Sequence, residues 1–237
     1  MNRRDLLRSS FATGLTAFTS PLFAQSNYPN KPITMIVPFP PGGVTDLVAR
    51  ELAKRLTEAF GQACTVENKA GAGGNIGTAA LARAVPDGYT LGVMTVSAIS
   101  IAPHVTPNLP FNPDKDFTPI TNIVNTPGAV LAGIKTPFQS ISDLIRAAKE
   151  RPGKITYASV GNGSLPHLVG ERFCKTFGIE LVHVPYKGAA PAMQDLLAGI
   201  VDLSFESALT NTVSNAAAGK LRVLATTGSQ RCLLYTS

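Results

Sequence analysis

Four glycine-bearing loops, each following a short apolar run, hold most of the residues with chemistry to offer. The first is Pro38-Phe39-Pro40-Pro41-Gly42-Gly43-Val44-Thr45-Asp46. Its prolines stiffen the chain, and its paired glycines let backbone N–H groups face outward where a helix begins. A helix start carries unpaired N–H donors and the positive end of the dipole, so it attracts anions. Gly42 and Gly43 are candidate ligand contacts through their backbone. Asp46, in the first helical turn, either caps the helix, orients the loop or meets a donor on a ligand. The competing reading of this loop is a rigid turn with no ligand.

The second loop, Gly71-Ala72-Gly73-Gly74-Asn75-Ile76-Gly77, is not a dinucleotide fingerprint. Position six of a G-x-G-x-x-G begun at Gly71 is Ile76, and the loop does not follow the first strand. The third, Ser159-Val160-Gly161-Asn162-Gly163-Ser164 with His167, places Ser164 as an N-cap ahead of Leu165-Pro166. A hydrolase would pair Ser164 with His167. Three residues apart at one helix start, however, they are neighbours by geometry, and no G-x-S-x-G elbow frames the serine. Capping plus hydrogen bonding to a ligand is the preferred reading of Ser164; His167 is a surface residue or a support behind it. The fourth loop, Val184-Pro185-Tyr186-Lys187-Gly188, ends a strand where open α/β sheets meet ligands. Tyr186 and Lys187 could close over an anion, or Lys187 is a solvated charge. Asp202 and Glu206 straddle a strand and could take a ligand ammonium or stabilise the fold.

With 3 Cys and 3 His in no cluster, the chain offers neither a zinc spacing nor an even disulfide framework, so no metal and no cofactor are expected. A Cys64–Cys174 bridge and buried free thiols are both open, the thiols being favoured. No nucleophile, base and orienting group converge, which points to a binding protein and not an enzyme. The alternative is a nucleotide-dependent or hydrolytic α/β enzyme using the Gly71–Gly77 loop or Ser164.

The elements that must position these loops follow an α/β rhythm. Strands are expected at 33–37, 64–67, 89–96, 120–124, 129–133, 155–160, 179–184, 201–205 and 221–226. Helices are expected at 44–60, from about 74 to 84, at 141–149 and 165–177, and from Pro191 onward, with one more before the last strand. Ser140 with Asp143 resembles a capping box with a shorter acid. Five prolines between 103 and 119 mark a surface excursion at a domain border.

The first residues, with Arg3, Arg4 and Arg8 before an uncharged apolar stretch to Ala24, read as a cleaved export signal, with a twin-arginine flavour. No other stretch reaches the roughly 18 apolar residues of a membrane span, so a soluble periplasmic protein is expected. The formal charge is +6; subtracting the leader's three arginines and one aspartate leaves 18 basic and 14 acidic residues. That mild surplus suits an anionic solute. No dense basic block interleaved with aromatics remains, which argues against nucleic acid.

Taken together the loops resemble the Bug family, the extracytoplasmic substrate-binding proteins of tripartite tricarboxylate transporters. The resemblance rests on Tyr28-Pro29 with Lys31-Pro32-Ile33, on the Pro38–Asp46 loop, on Asn68-Lys69-Ala70-Gly71-Ala72-Gly73-Gly74-Asn75-Ile76-Gly77 and on Pro86-Asp87-Gly88-Tyr89-Thr90-Leu91. It continues through Tyr157-Ala158-Ser159, Gly161, Gly163-Ser164, His167-Leu168, His183-Val184-Pro185-Tyr186-Lys187-Gly188, Asp195-Leu196-Leu197-Ala198-Gly199 and Val201-Asp202. It departs at Lys69-Ala70, where the family commonly has Arg-Pro, and at Glu206, where it has an aspartate nearby.

The resemblance implies an α/β, two-domain periplasmic binding protein type II (Venus-flytrap) fold that captures a small carboxylate. The carboxylate would be a di- or tricarboxylate or a related organic acid, and the partners would be the membrane subunits of a transporter or a membrane sensor. Phe39, Gly42, Gly43, Thr45 and Asp46 would line the cleft from domain one. Ser159, Gly161, Gly163, Ser164 and His167 would line it from domain two, with Tyr186 and Lys187 nearby. A monomer is expected. The implied boundaries are a signal peptide at 1–24, domain one at 25–119 plus 221–230, and domain two at 120–220. The family match fades near Gly228, and Arg231–Ser237 reads as a non-native tail, so domain one is expected to be incomplete.

Overall fold

The structure is a computed structural model that describes residues 28–206, 209 and 212–228. The leader expected at 1–24 and the tail expected at 231–237 lie outside the described residues. Among the described residues no helix is long and apolar enough to cross a membrane.

The first lobe is built round Ile33–Val37 (β1), which is buried along nearly its whole length, as a central parallel strand must be. Cys64–Asn68 (β2) and Thr90–Gly92 (β3) pair with it in parallel on either side, in the order β2-β1-β3. Val44–Phe60 (α1) joins β1 to β2 and stops at Gly61, whose left-handed conformation lets its N–H reach Thr57 O at 3.0 Å. Ala49 and Ala53, fully buried and one turn apart, let α1 lie close over Met35 and Val37.

Asn75–Ala82 (α2) follows a single 3-10 turn at Ala72–Gly74. Its Gly77 packs backbone to backbone: a Cβ there would stand 2.6 Å from both Lys69 O and Pro38 Cα. This contact fixes the second glycine loop against the first. The strand expected at 89–96 is shorter than its apolar run because the chain turns into a π-helical segment at Ser97–Ile101 and the short Ala102–Val105 (α3). The proline-rich excursion carries no strand and is pinned by Phe111, which packs on Ala79 and Ala98.

The second lobe has five strands in the order β6-β5-β7-β4-β8. Its elements are Ala129–Gly133 (β4), Ile141–Glu150 (α4), Thr156–Ser159 (β5), Leu165–Phe177 (α5), Val182–Pro185 (β6), Ala189–Ala198 (α6), Leu203–Glu206 (β7), Thr212–Ala217 (α7) and Leu221–Thr226 (β8). Strand β5 runs parallel to β6 and β7, whereas β4 is antiparallel to β7 and β8. The order β6-β5-β7 repeats β2-β1-β3. In each lobe the order reverses at the central strand, so the loops leaving it diverge and open a crevice, the usual ligand position in such sheets. Asp202 serves the fold. Its carboxylate accepts Thr156 N–H at 2.8 Å and Thr156 Oγ1–H at 2.9 Å, tying β5 to the start of β7.

Two expectations are corrected. Residues 120–124 form no strand; 118–128 carry no regular element, and Ile120 is 79% exposed because no described strand lies beside it. The strand at 221–226, expected in domain one, instead pairs with β4 throughout and sends Leu221 and Val223 into the second lobe's core. The cysteine alternatives also resolve: Cys64 and Cys174 are free thiols in the packing of different lobes, and burial raises both pKa values. Cys232 lies outside the described residues.

Replacing Gly77 by Ala should lower unfolding stability by about 1–3 kcal/mol, the usual cost of overpacking, because Pro38 and Lys69 present backbone that cannot swing aside. Urea unfolding would check this, and an unchanged midpoint would contradict the close packing of α2.

Candidate functional site

The loops at the carboxyl ends of the parallel strands meet between the lobes, and they meet closely. Ser97 Oγ, from the first lobe, accepts Leu165 N–H at the start of α5 at 3.0 Å. A Cβ on Gly73 would lie 3.0 Å from Asn162 O, and one on Gly161 would lie 3.1 Å from Gly73 N. A Cβ on Gly188 would press on Pro40 Cδ at 2.6 Å. The first loop therefore faces the fourth, and the second faces the third.

In the first lobe Asp46 organises the loop. It is only 2% exposed, and it accepts from Gly42 N–H and Arg50 Nε through Oδ2, at 3.0 and 2.9 Å, and from Asn68 Nδ2 through Oδ1 at 2.9 Å. The same Asn68 amide donates to Phe39 O at 2.9 Å. Burial opposes the Asp46 charge, but donors from Arg50, Gly42 and Asn68 outweigh it and hold the carboxyl below its ordinary pKa. Phe39 is buried under Gly74. The helix cap is Gly43, with no side chain to take the N–H groups of the first turn, so the donors near Thr45 are left by the helix geometry itself.

The second lobe's loop is satisfied internally. Gly161 N–H donates to Ser159 Oγ at 3.1 Å, Gly163 N–H to His167 Nδ1 at 3.1 Å and Ser164 N–H to Gly161 O at 3.2 Å. Ser164 Oγ donates to Gly161 O at 2.6 Å and accepts His167 N–H, capping α5. Ser159 and Ser164 are 1% and 0% exposed. Helix α6, by contrast, begins at Gly188 with no side-chain cap. Tyr186 O–H donates to Asp195 at 2.6 Å; burial, reinforced by this bond, pushes the phenol's pKa up to about 12. Lys187 is exposed.

Three contributors escaped the sequence. Arg50 sits one helical turn past Asp46, and that spacing was a usable signal. His183 shares a 2.6 Å hydrogen bond with Ser159 Oγ and stacks between Tyr157 and His167. Ser97 carried no local signal, since its partner is 68 residues away. Burial, with neighbouring His167, pulls the His183 pKa down to about 4. Glu206, at the end of β7, is buried with Ser204 Oγ donating to it at 2.7 Å, and its pKa is pushed up to about 7 by that burial. Among the described residues no group of three or more His, Cys, Asp or Glu could hold a metal ion.

Residues 48–236 match the family described as the tripartite tricarboxylate transporter family receptor. The chain is 40% identical to protein BugT of Bordetella pertussis over 205 residues, which are 86% of this chain and 63% of that one. An adipate-bound structure from R. palustris superposes with a TM-score of 0.83 at 36% identity, covering 86% of this chain and 68% of the other. MatC from Rhodopseudomonas palustris, with bound malate, superposes with a TM-score of 0.81 at 31% identity and covers 86% and 69%. The chain thus spans roughly two thirds of the length of these proteins, and the two solved structures share its fold.

Asp46→Ala should cost about 2–3 kcal/mol, because Gly42, Asn68 and Arg50 would each lose a buried acceptor; urea unfolding measures it. Two of the second lobe's shifted groups, His183 and Glu206, should pull stability in opposite directions with pH. Between 6.5 and about 4 the unfolded His183 takes up a proton that the folded one refuses, so stability falls as pH falls. Between 4.5 and about 7 the folded Glu206 keeps a proton that the unfolded one gives up, so stability falls as pH rises. Melting temperatures of Glu206→Gln should therefore climb from pH 4 to 6.5, and those of His183→Gln should decline from 4.5 to 7. Parallel profiles for the two variants would contradict this assignment.

Proposed function

The chain belongs to the tripartite tricarboxylate transporter receptor family, and on that premise we propose that it is a periplasmic receptor for a small organic acid. It closes on a di- or tricarboxylate, or a related acid, and presents it to the membrane subunits of a tripartite tricarboxylate transporter. The observation that carries this reading is the pair of uncapped helix starts, α1 at Gly43 and α6 at Gly188, brought from opposite lobes to either side of the Pro40–Gly188 contact. Each offers backbone donors and the positive end of a dipole, and a dianion supplies one carboxylate to each.

In this reading Gly42, Gly43 and Thr45 hold the ligand from the first lobe, with Phe39 and Asp46 fixing their loop. Tyr186 and Lys187 flank it from the second lobe, and Ser159, Gly161, Gly163, Ser164 and His167 form the wall opposite Gly73. Adipate and malate in the related structures support a dicarboxylate of four to six carbons as the ligand class. A hydrolytic role is disfavoured by the engagements of Ser164 and His167, each already bonded within the loop. A pyrophosphate at the Gly71–Gly77 loop is disfavoured by the close approach of Gly161 to Gly73.

Thermal unfolding with malate, adipate or NAD(P)+ separates the alternatives. A dicarboxylate at a hundred times its Kd should stabilise the chain by about 2.7 kcal/mol, a shift of a few degrees, and the nucleotide should shift nothing. A shift with the nucleotide alone would overturn the receptor reading.

A further inference from the structure

The second-lobe loop is braced from beneath by a residue outside the glycine motifs. The β5–β6 register sets His183 opposite Tyr157 and Pro185 opposite Ser159. The His183 ring therefore lies one strand over and one step back from the serine, and its Nε2 stands 2.6 Å from Ser159 Oγ. From that hydroxyl a chain of short contacts runs to the start of α5. Ser159 Oγ accepts Gly161 N–H at 3.1 Å, Gly161 O accepts Ser164 Oγ–H at 2.6 Å, and Ser164 Oγ accepts His167 N–H at 3.5 Å.

The imidazole is not free to swing. It stacks on Tyr157 at 4.9 Å between centroids and on His167 at 4.1 Å, with interplanar angles of 29° and 19°. Glu171 closes the stack from α5: it accepts Tyr157 O–H at 2.7 Å and stands 3.9 Å from His167 Nε2. His167 in turn takes Gly163 N–H on its other nitrogen. The three rings thus form a wedge between the sheet and α5: His167 holds Gly163 directly, and His183 reaches Gly161 through Ser159. Gly161 is also the point that meets Gly73 across the cleft, at a φ of 131° that a residue with a Cβ would rarely adopt.

We propose that His183 is a positioning residue for solute capture, fixing Ser159 and through it Gly161, so that the second-lobe loop is set at the height where the lobes can close. This rests on the receptor reading above. Loosening the imidazole would let Gly161 shift, and a shift of a few tenths of an ångström there changes the approach to Gly73 and hence the closed state.

Binding of malate and adipate should be compared by calorimetry in the wild-type chain, His183→Ala, His183→Gln, Ser159→Ala and the double variant His183→Ala/Ser159→Ala. His183→Ala should weaken binding about tenfold. The Gln amide reaches the position of Nε2 and can give or accept a proton, so His183→Gln should return to within about threefold of wild type. The double variant should be no weaker than the weaker single one, since both changes cut the same chain. A Gln variant as weak as the Ala variant, or losses that multiply in the double variant, would overturn the proposal. Amide exchange without ligand provides a second measurement: His183→Ala should speed exchange at Gly161 and Gly163 well beyond the rest of the second lobe. Acceleration spread evenly over that lobe would mean a structural role only and would also overturn it. If the wild-type chain takes up neither acid, the receptor reading fails, and the exchange result still decides what His183 does to the loop.

Discussion

One buried carboxylate sets the face that the first lobe turns to the cleft. Asp46 commits its oxygens to Gly42 and Asn68 in the loop and to Arg50 one turn along its own helix. Its charge is tolerated under burial because three donors meet it. These engagements have a consequence at the helix start. With glycine at the cap and the acid bonded to Gly42, Asn68 and Arg50, the cap of α1 offers no side-chain bond to the first-turn N–H groups. The loop is held in shape by these bonds while the helix start keeps its backbone donors free of a side-chain cap.

The second lobe reaches a similar result by dividing the work between two helix starts. At α5 the serine cap, the histidine and Ser97 from the other lobe take up the donors, so that loop is a wall. At α6 the cap is again glycine, and Pro40 lies against it. Glycine and serine at the cap position are both common helix starters, yet they leave opposite faces: one exposes donors and the other covers them. The close backbone approaches at Gly73, Gly161 and Gly188 then require residues without Cβ atoms at the boundary between lobes.

Much of the scaffold was legible in the chain. Val44–Phe60 and Leu165–Phe177 carry a helical apolar stripe, a clear start and a glycine stop, and both form over those residues. Ser140 caps α4 by accepting Asp143 N–H as its spacing suggested. The Asp143 carboxylate turns back to the Ser140 hydroxyl and to Gln139 N–H instead of the Ser140 N–H of a full capping box. Ile120–Val124 had the apolar make-up of a strand, but a strand exists only beside a partner, and composition cannot supply one. The last strand was legible as a strand and misplaced as to sheet for the same reason: Leu221–Thr226 does not encode which edge it joins.

The sequence by itself determined the alternation of strands and helices and the glycine and proline loops at strand ends. These follow from local spacing and backbone preference, which each short segment carries alone. Only the tertiary structure decided which loop donors stay open and which are consumed. That outcome depends on partners distant along the chain: Asn68 for Asp46, His183 for Ser159, Ser97 for Leu165 and Pro40 for Gly188. A backbone N–H is the same group everywhere in the sequence, and its availability is fixed by whatever acceptor folding brings within about 3 Å.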